Sequence, residues 1–113
     1  MSEYTLHCFA ESGNAYKAAL MLELTGQAWQ PVFVDFFNGQ TREQSWRDEV
    51  NEQGEVPVME HAGKRFTQSA LILEYLAEQT GQFGPRDEDE KREIWRWMLF
   101  DNHKFTSYYA ALR

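Results

Sequence analysis

The sequence has little cysteine, few histidines and no long apolar run. Cys8 is the single cysteine, so an internal disulfide is excluded. The histidines at positions 7, 61 and 103 show no metal-ligand spacing with it, and we expect no metal. No apolar stretch approaches the roughly 18 residues of a membrane span, and the opening MSEYTL lacks the basic and apolar regions of a secretory signal. We therefore expect a cytoplasmic protein with no membrane partner.

Basic residues are also scarce. Lys and Arg total 11 against 18 Asp and Glu, and the formal net charge is −7. Binding to phosphate backbones needs clustered positive charge, so we expect no nucleic-acid partner. Hydrophobic residues make up 42% of the 113 positions and aromatic residues 15%, which suffices for one domain with a packed core.

Hydrophobic patterns and turn residues predict the order β-α-β-α-β-β-α, followed by a separate helix. Residues 4–9 alternate as a strand, 15–24 favour a helix, and 30–37 are β-branched and aromatic as in a second strand. A helix between two strands implies that the strands are parallel. The fold class expected is therefore α/β.

The second half of the pattern contains a hairpin and two helices. The run 41–44 has the spacing of a capping box and predicts a short helix through Val50. A strand over 56–60, a turn over 61–64 and a strand over 65–67 predict an antiparallel edge to the sheet. A helix is expected over 69–80, a linker over 81–86 and one long helix over 87–113, which lacks proline and glycine.

Three junctions between elements carry candidate functional residues. Ser12 and Asn14 lie where the first helix begins, and the Gln68-Ser69 pair lies where the third begins. Helix N-termini present unpaired N–H groups and partial positive charge, which suit a carboxylate or a thiolate. The remaining candidate segment is Val56-Pro57, at the start of a predicted strand. Proline there has no N–H group to donate to a neighbouring strand.

Each of these residues also fits an ordinary structural role. Ser12 and Asn14 suit a turn, and Ser69 suits a helix cap. On residue statistics alone, Pro57 would follow a trans bond at a sheet edge. Cys8 in mid-strand is typical of a packed cysteine rather than of a nucleophile. The residues alone leave the choice between a binding site and a scaffold open.

Two motifs resemble the amino-terminal domain of glutathione S-transferases. GEVPVM, residues 54–59, is similar to the family's cis-proline strand, and FTQSALILEYL, residues 66–76, to its γ-glutamyl motif. SGNAYK, residues 12–17, resembles the first-helix start of bacterial members. The resemblance implies a thioredoxin-like βαβαββα domain with a mixed four-stranded sheet over residues 1–80. After the linker, residues 87–113 would form the first helix of an incomplete all-α domain.

The resemblance also implies glutathione as co-substrate and no metal. The Val56-Pro57 segment would hold its cysteinyl part, and the Gln68-Ser69 pair its γ-glutamyl carboxylate. Ser12, with Asn14 as competitor, would stabilise the thiolate for attack on an electrophile. Glutathione-dependent disulfide reduction and a non-catalytic glutathione-binding module are the alternatives. Glu55 departs from the family, where many members carry Lys or Gln.

The last predicted helix spreads its large apolar residues too widely for one face, so it needs partners on more than one side. We therefore expect a homo-oligomer formed through residues 94–112, or a longer protein whose remaining part covers them. The residues concerned are Ile94, Trp95, Trp97, Met98, Leu99, Phe100, Phe105, Tyr108, Tyr109 and Leu112.

Overall fold

The structure, a computed structural model, describes residues 3–101. Its contacts divide the chain between Leu73 and Glu74 into two compact units. In chain order the elements are β1 (Tyr4–Cys8), α1 (Gly13–Leu24), β2 (Trp29–Phe33), α2 (Gln44–Glu49), β3 (Val58–His61), β4 (Lys64–Thr67), α3 (Ser69–Thr80) and α4 (Glu88–Phe100).

The strands form one mixed sheet in the order β2-β1-β3-β4. β1 runs parallel to β2, whereas β3 is antiparallel to both β1 and β4. The predicted thioredoxin-like arrangement is confirmed. Because of these directions, the C-terminal ends of β1 and β4 lie beside the N-terminal end of β3. The segments after Cys8, before Val58 and after Thr67 therefore lie along one edge.

The second strand is shorter than the predicted 30–37, because it ends at Phe33. Asp35 has φ −82° and ψ 68°, close to the centre of an inverse γ-turn, and the Phe36 N–H donates to the Val34 C=O at 2.9 Å. The Phe36 ring stacks on Phe9 with centroids 4.7 Å apart. The aromatic run thus packs around a turn, whereas its β-propensity favoured a strand.

The predicted capping box at residues 41–44 is wrong. Thr41 is buried in a 3₁₀ turn over Gln40–Arg42, and α2 begins only after Glu43, which makes no capping hydrogen bond through its side chain. Tertiary burial of the threonine outweighs the local capping pattern.

Burial of Trp46 holds the short helix α2. Its side chain is 6% exposed and belongs to a buried cluster with Val34 and Val58, against which Val50 and Val56 pack. This cluster connects α2 to the segment that enters β3. Fully buried apolar residues of the first unit form the rest of its core: Leu6, Ala18, Leu22, Met59 and Ile72.

The other predicted elements agree with the structure apart from their ends. α1 begins two residues before the predicted Ala15, and α3 spans the predicted residues. The hairpin turns at Ala62 and Gly63, which have φ 53° and 76°. α4 is capped by Asp87, whose side chain accepts from the Glu90 N–H at 2.8 Å. Positions 102–113 of the predicted last helix lie outside the described residues. Over residues 3–101, none of the helices has the length and apolarity to span a membrane.

Candidate functional site

Ser12 occupies the N-cap of α1. Its Oγ accepts from the Ala15 N–H at 3.1 Å, and its backbone C=O accepts from the Tyr16 N–H at 2.9 Å. The Ser12 N–H donates to the Phe9 C=O at 3.1 Å, so the residue is held from both sides. Because Oγ acts here as an acceptor, its own proton remains a donor for a ligand.

The start of α3 differs from the simple cap that Ser69 alone suggested. The Gln68 C=O accepts from the Ile72 N–H at 3.0 Å, so Gln68 takes the N-cap position, with φ 73°. Ser69 is the first helical residue and is 7% exposed. Its Oγ donates to Asn14 Oδ1 at 3.4 Å. The first N–H groups of α3 have no partner within their own helix.

Asn14 therefore joins the N-termini of two helices. Its Oδ1 accepts from Ser69 and also from Lys17 Nζ at 3.1 Å. Nearby, Gln68 Nε2 donates to Gln53 Oε1 at 3.2 Å. Lys17 and Gln53 are two residues of this region that the sequence reasoning missed. The i, i+3 spacing of Asn14 and Lys17 on a helix was the available signal for Lys17.

The Val56–Pro57 peptide bond is cis, as the family resemblance implied. Pro57 is buried and Val56 half-buried. Neither the N–H nor the C=O of Val56 pairs with another group among residues 3–101. Both are thus available to an extended ligand beside the start of β3.

Side chains of Arg47 and Asn51 donate hydrogen bonds to the backbone of the loop before Val56. Asn51 Nδ2 donates to the Glu55 C=O at 2.9 Å, and Arg47 Nη1 donates to the Glu52 C=O at 3.3 Å. Gly54 has φ 70°, a backbone conformation that residues with a Cβ rarely adopt, so glycine is favoured there. The Glu55 side chain is exposed.

Cys8, His7 and His61 make contacts with residues outside the predicted site. Burial raises the pKa of the Cys8 thiol, with a backbone hydrogen bond to Val32 acting in the opposite direction, so Cys8 stays a protonated thiol at neutral pH. His7 Nε2 lies 2.7 Å from Glu60 Oε2. His61 stacks on Tyr4 at a centroid distance of 3.8 Å, at the end of β3 remote from Pro57. Among residues 3–101, no cluster of His, Cys, Asp and Glu could hold a metal.

Some of the predicted site residues are thus in direct contact in the structure. Asn14 and Ser69 are hydrogen-bonded, Ser12 caps the helix that carries Asn14, and Gln68 precedes Ser69. The Val56-Pro57 segment lies along the same sheet edge by topology. This arrangement defines a thioredoxin-like domain with helix N-termini and a strand entrance at one edge.

Comparison with known families identifies the class. Residues 2–78 match the model of the glutathione S-transferase N-terminal domain, and the chain belongs to this family. It is 38% identical over 107 residues to a maleylacetoacetate isomerase of Rhizobium meliloti, covering 90% of this chain and 50% of that protein. It is 32% identical over 108 residues to a glutathione S-transferase of Arabidopsis thaliana, covering 92% and 42%. The chain therefore spans half or less of these relatives.

Solved structures show the same fold. A possible glutathione S-transferase from Rhodopseudomonas palustris is 35% identical with a TM-score of 0.80, covering 88% of this chain and 45% of that chain. Ure2p in complex with glutathione is 25% identical with a TM-score of 0.77, covering 88% and 48%.

Proposed function

We propose that this protein binds glutathione and activates its thiol for conjugation to electrophiles. The observation that carries the proposal is the Ser69–Asn14 hydrogen bond of 3.4 Å, which joins the N-termini of α1 and α3. Two helix N-termini side by side suit a ligand with both a carboxylate and a thiolate. Family membership and the glutathione complex of Ure2p support this choice of ligand.

The γ-glutamyl carboxylate would bind at the Gln68-Ser69 pair. The first N–H groups of α3 have no intrahelical partner, and the Ser69 hydroxyl lies beside them. A carboxylate is costly to desolvate without matched donors, and this helix start supplies several. The Gln68 side chain, at the exposed rim, adds an amide donor.

The cysteinyl part would pair with the backbone of Val56. The N–H and C=O of Val56 have no partner among residues 3–101. An extended peptide can accept a hydrogen bond from this N–H and donate one to this C=O, as a short antiparallel strand does. Exposure of the Glu55 side chain leaves it room to turn away from the anionic ligand.

The thiolate would be stabilised by Ser12 at the N-terminus of α1, with Asn14 as the competing donor. A free thiol has a pKa near 8.5, and lowering it by about two units needs roughly 2.7 kcal/mol of preferential stabilisation. A hydrogen bond to a charged group contributes about 1.5–3 kcal/mol, and a helix end about 0.3–1 kcal/mol. These two contributions supply much of the required stabilisation. The raised pKa of Cys8 makes this cysteine a poor nucleophile of its own.

Binding and turnover measurements test the proposal. Calorimetry with glutathione should give a saturable isotherm, and a chloronitroaromatic acceptor should be conjugated. Turnover only of a mixed disulfide would select disulfide reduction, and binding without turnover would select a non-catalytic module. An assay for isomerisation of maleylacetoacetate tests for the activity named for the Rhizobium meliloti relative. Failure to bind glutathione at all contradicts the proposal.

The proposal also covers the domain boundaries, the oligomeric state and the cellular location of the protein. Residues 1–80 act as the glutathione-binding domain, 81–86 as a linker, and 87–113 as the first helix of a helical domain, in a cytoplasmic homo-oligomer. Within the described part of α4, Trp97, Leu99 and Phe100 are more than half exposed, which favours association through this surface. Light scattering at several protein concentrations checks the assembly, and a strict monomer contradicts it.

A further inference from the structure

The residues of the proposed site include no positive charge, although the ligand carries carboxylates. Ser12, Asn14, Val56-Pro57 and the Gln68-Ser69 pair are all uncharged. A charge lies next to them on α1, where Lys17 Nζ is 3.1 Å from Asn14 Oδ1. Since the same oxygen is 3.4 Å from Ser69 Oγ, the ammonium and the hydroxyl lie no more than about 6.5 Å apart.

The ammonium determines which way the Asn14 amide faces. Lysine can only donate, so the Asn14 atom beside it must be the oxygen. That oxygen thereby has a charged donor, which forms the stronger kind of hydrogen bond. The second donor, Ser69 Oγ, stands at 3.4 Å, at the long end of hydrogen-bond distances.

The single proton of the Ser69 hydroxyl is therefore held weakly in the ligand-free protein. A carboxylate is a better acceptor than an amide oxygen that already has a charged donor. When Ser69 turns its proton to the carboxylate, Asn14 Oδ1 keeps Lys17 as its donor, so no half-buried acceptor is left unpaired.

We propose that Lys17 determines the affinity of the site for the γ-glutamyl carboxylate. Its ammonium supplies the attracting charge, and its bond to Asn14 releases the Ser69 proton to the ligand. Lys17 is thus a positioning residue: it holds the Asn14 amide, and its charge attracts the carboxylate. This inference rests on the proposed function and names the ligand group that Lys17 recognises.

The experiment compares three variants, Lys17→Met, Lys17→Arg and Lys64→Met, on two ligands. Lys17→Met removes the charge and keeps the length of the side chain. The ligands are glutathione and γ-aminobutyryl-cysteinyl-glycine, which lacks only the γ-glutamyl α-carboxylate. For a carboxylate bound at Ser69, a unit charge within about 6 Å in a partly solvated site would change the affinity roughly tenfold. We therefore expect Lys17→Met to bind glutathione about tenfold more weakly and the decarboxylated analogue nearly as well as the wild type does.

Lys64→Met is the matched control, because Lys64 begins β4 at the end remote from Ser69 and its loss changes net charge equally. It should alter neither affinity, and Lys17→Arg should keep most of the affinity for glutathione. Equal weakening of both ligands in a folded Lys17→Met protein, or no weakening of either, overturns the role of Lys17. If the wild type binds the analogue as tightly as glutathione, the carboxylate is not recognised and the inference is also wrong. A wild-type protein that binds neither ligand overturns the proposed function and this inference with it.

Discussion

Replacing Ser69 with alanine tests the carboxylate-binding hydroxyl with little disturbance of the fold. In the folded protein this hydroxyl makes one long hydrogen bond, 3.4 Å to Asn14 Oδ1, and Lys17 satisfies the same oxygen. Because the bond is long and Asn14 Oδ1 keeps its charged donor, the free energy of unfolding should change by less than about 1 kcal/mol.

Glutathione binding should change much more. A hydrogen bond from Ser69 to a carboxylate involves a charged acceptor, and its loss should weaken binding by about 1–2 kcal/mol, or roughly 5-fold to 30-fold in Kd. Isothermal titration calorimetry at 25 °C measures this directly. Ser45→Ala, at an exposed position of α2, is the control and should leave Kd unchanged. An unchanged Kd in folded Ser69→Ala would refute the assignment of this hydroxyl to the carboxylate.

Three further predictions concern thiol activation, pH and the core. The pKa of the bound glutathione thiol, followed by thiolate absorbance, should rise in Ser12→Ala and less in Asn14→Ala; the reverse ranking would transfer the role to Asn14. Burial lowers the pKa of His61 from its ordinary 6.5, so the unfolded chain takes up more protons in acid. The contribution of neutral His61 to the free energy of unfolding should be complete above pH 6.5 and be lost as the pH falls below it, and a decline of equal size in His61→Gln would contradict this. Trp46→Ala should cost about 3–5 kcal/mol in urea unfolding, whereas Trp97→Ala, at a position 55% exposed, should cost less than about 1 kcal/mol; equal costs would contradict the core assignment.

Much of the fold could be predicted from local patterns. Helical character between turn residues predicts α3 with its observed bounds. Alternation predicts β1 to within one residue, since the strand ends at Cys8 and not at Phe9. The predictions failed at the end of β2 and at Thr41. In both places the local pattern was present, but a turn at Asp35 and burial of the threonine outweighed it.

The candidate site was predictable in its residue types but not in its contacts. Helix starts at Ser12 and Ser69 are visible as turn and cap residues before helical segments. That the Ser69 hydroxyl donates to Asn14, rather than capping its own helix, was not visible, because the two residues are 55 positions apart. The i, i+3 spacing of Asn14 and Lys17 was visible in the sequence, but the link from Asn14 to the start of α3 was not.

Local patterns along the chain predict the order of the elements, the mixed sheet and the three segments with candidate residues. These follow from side-chain periodicity and from the restricted backbone of glycine and proline, which act over a few residues. Three features emerge only when distant segments pack together: the end of β2 at Phe33, the burial of Trp46 beneath α2, and the hydrogen-bonded group of Lys17, Asn14 and Ser69. Such contacts depend on how distant segments pack together, and packing competes with local preference at a similar energy, about 1 kcal/mol per residue.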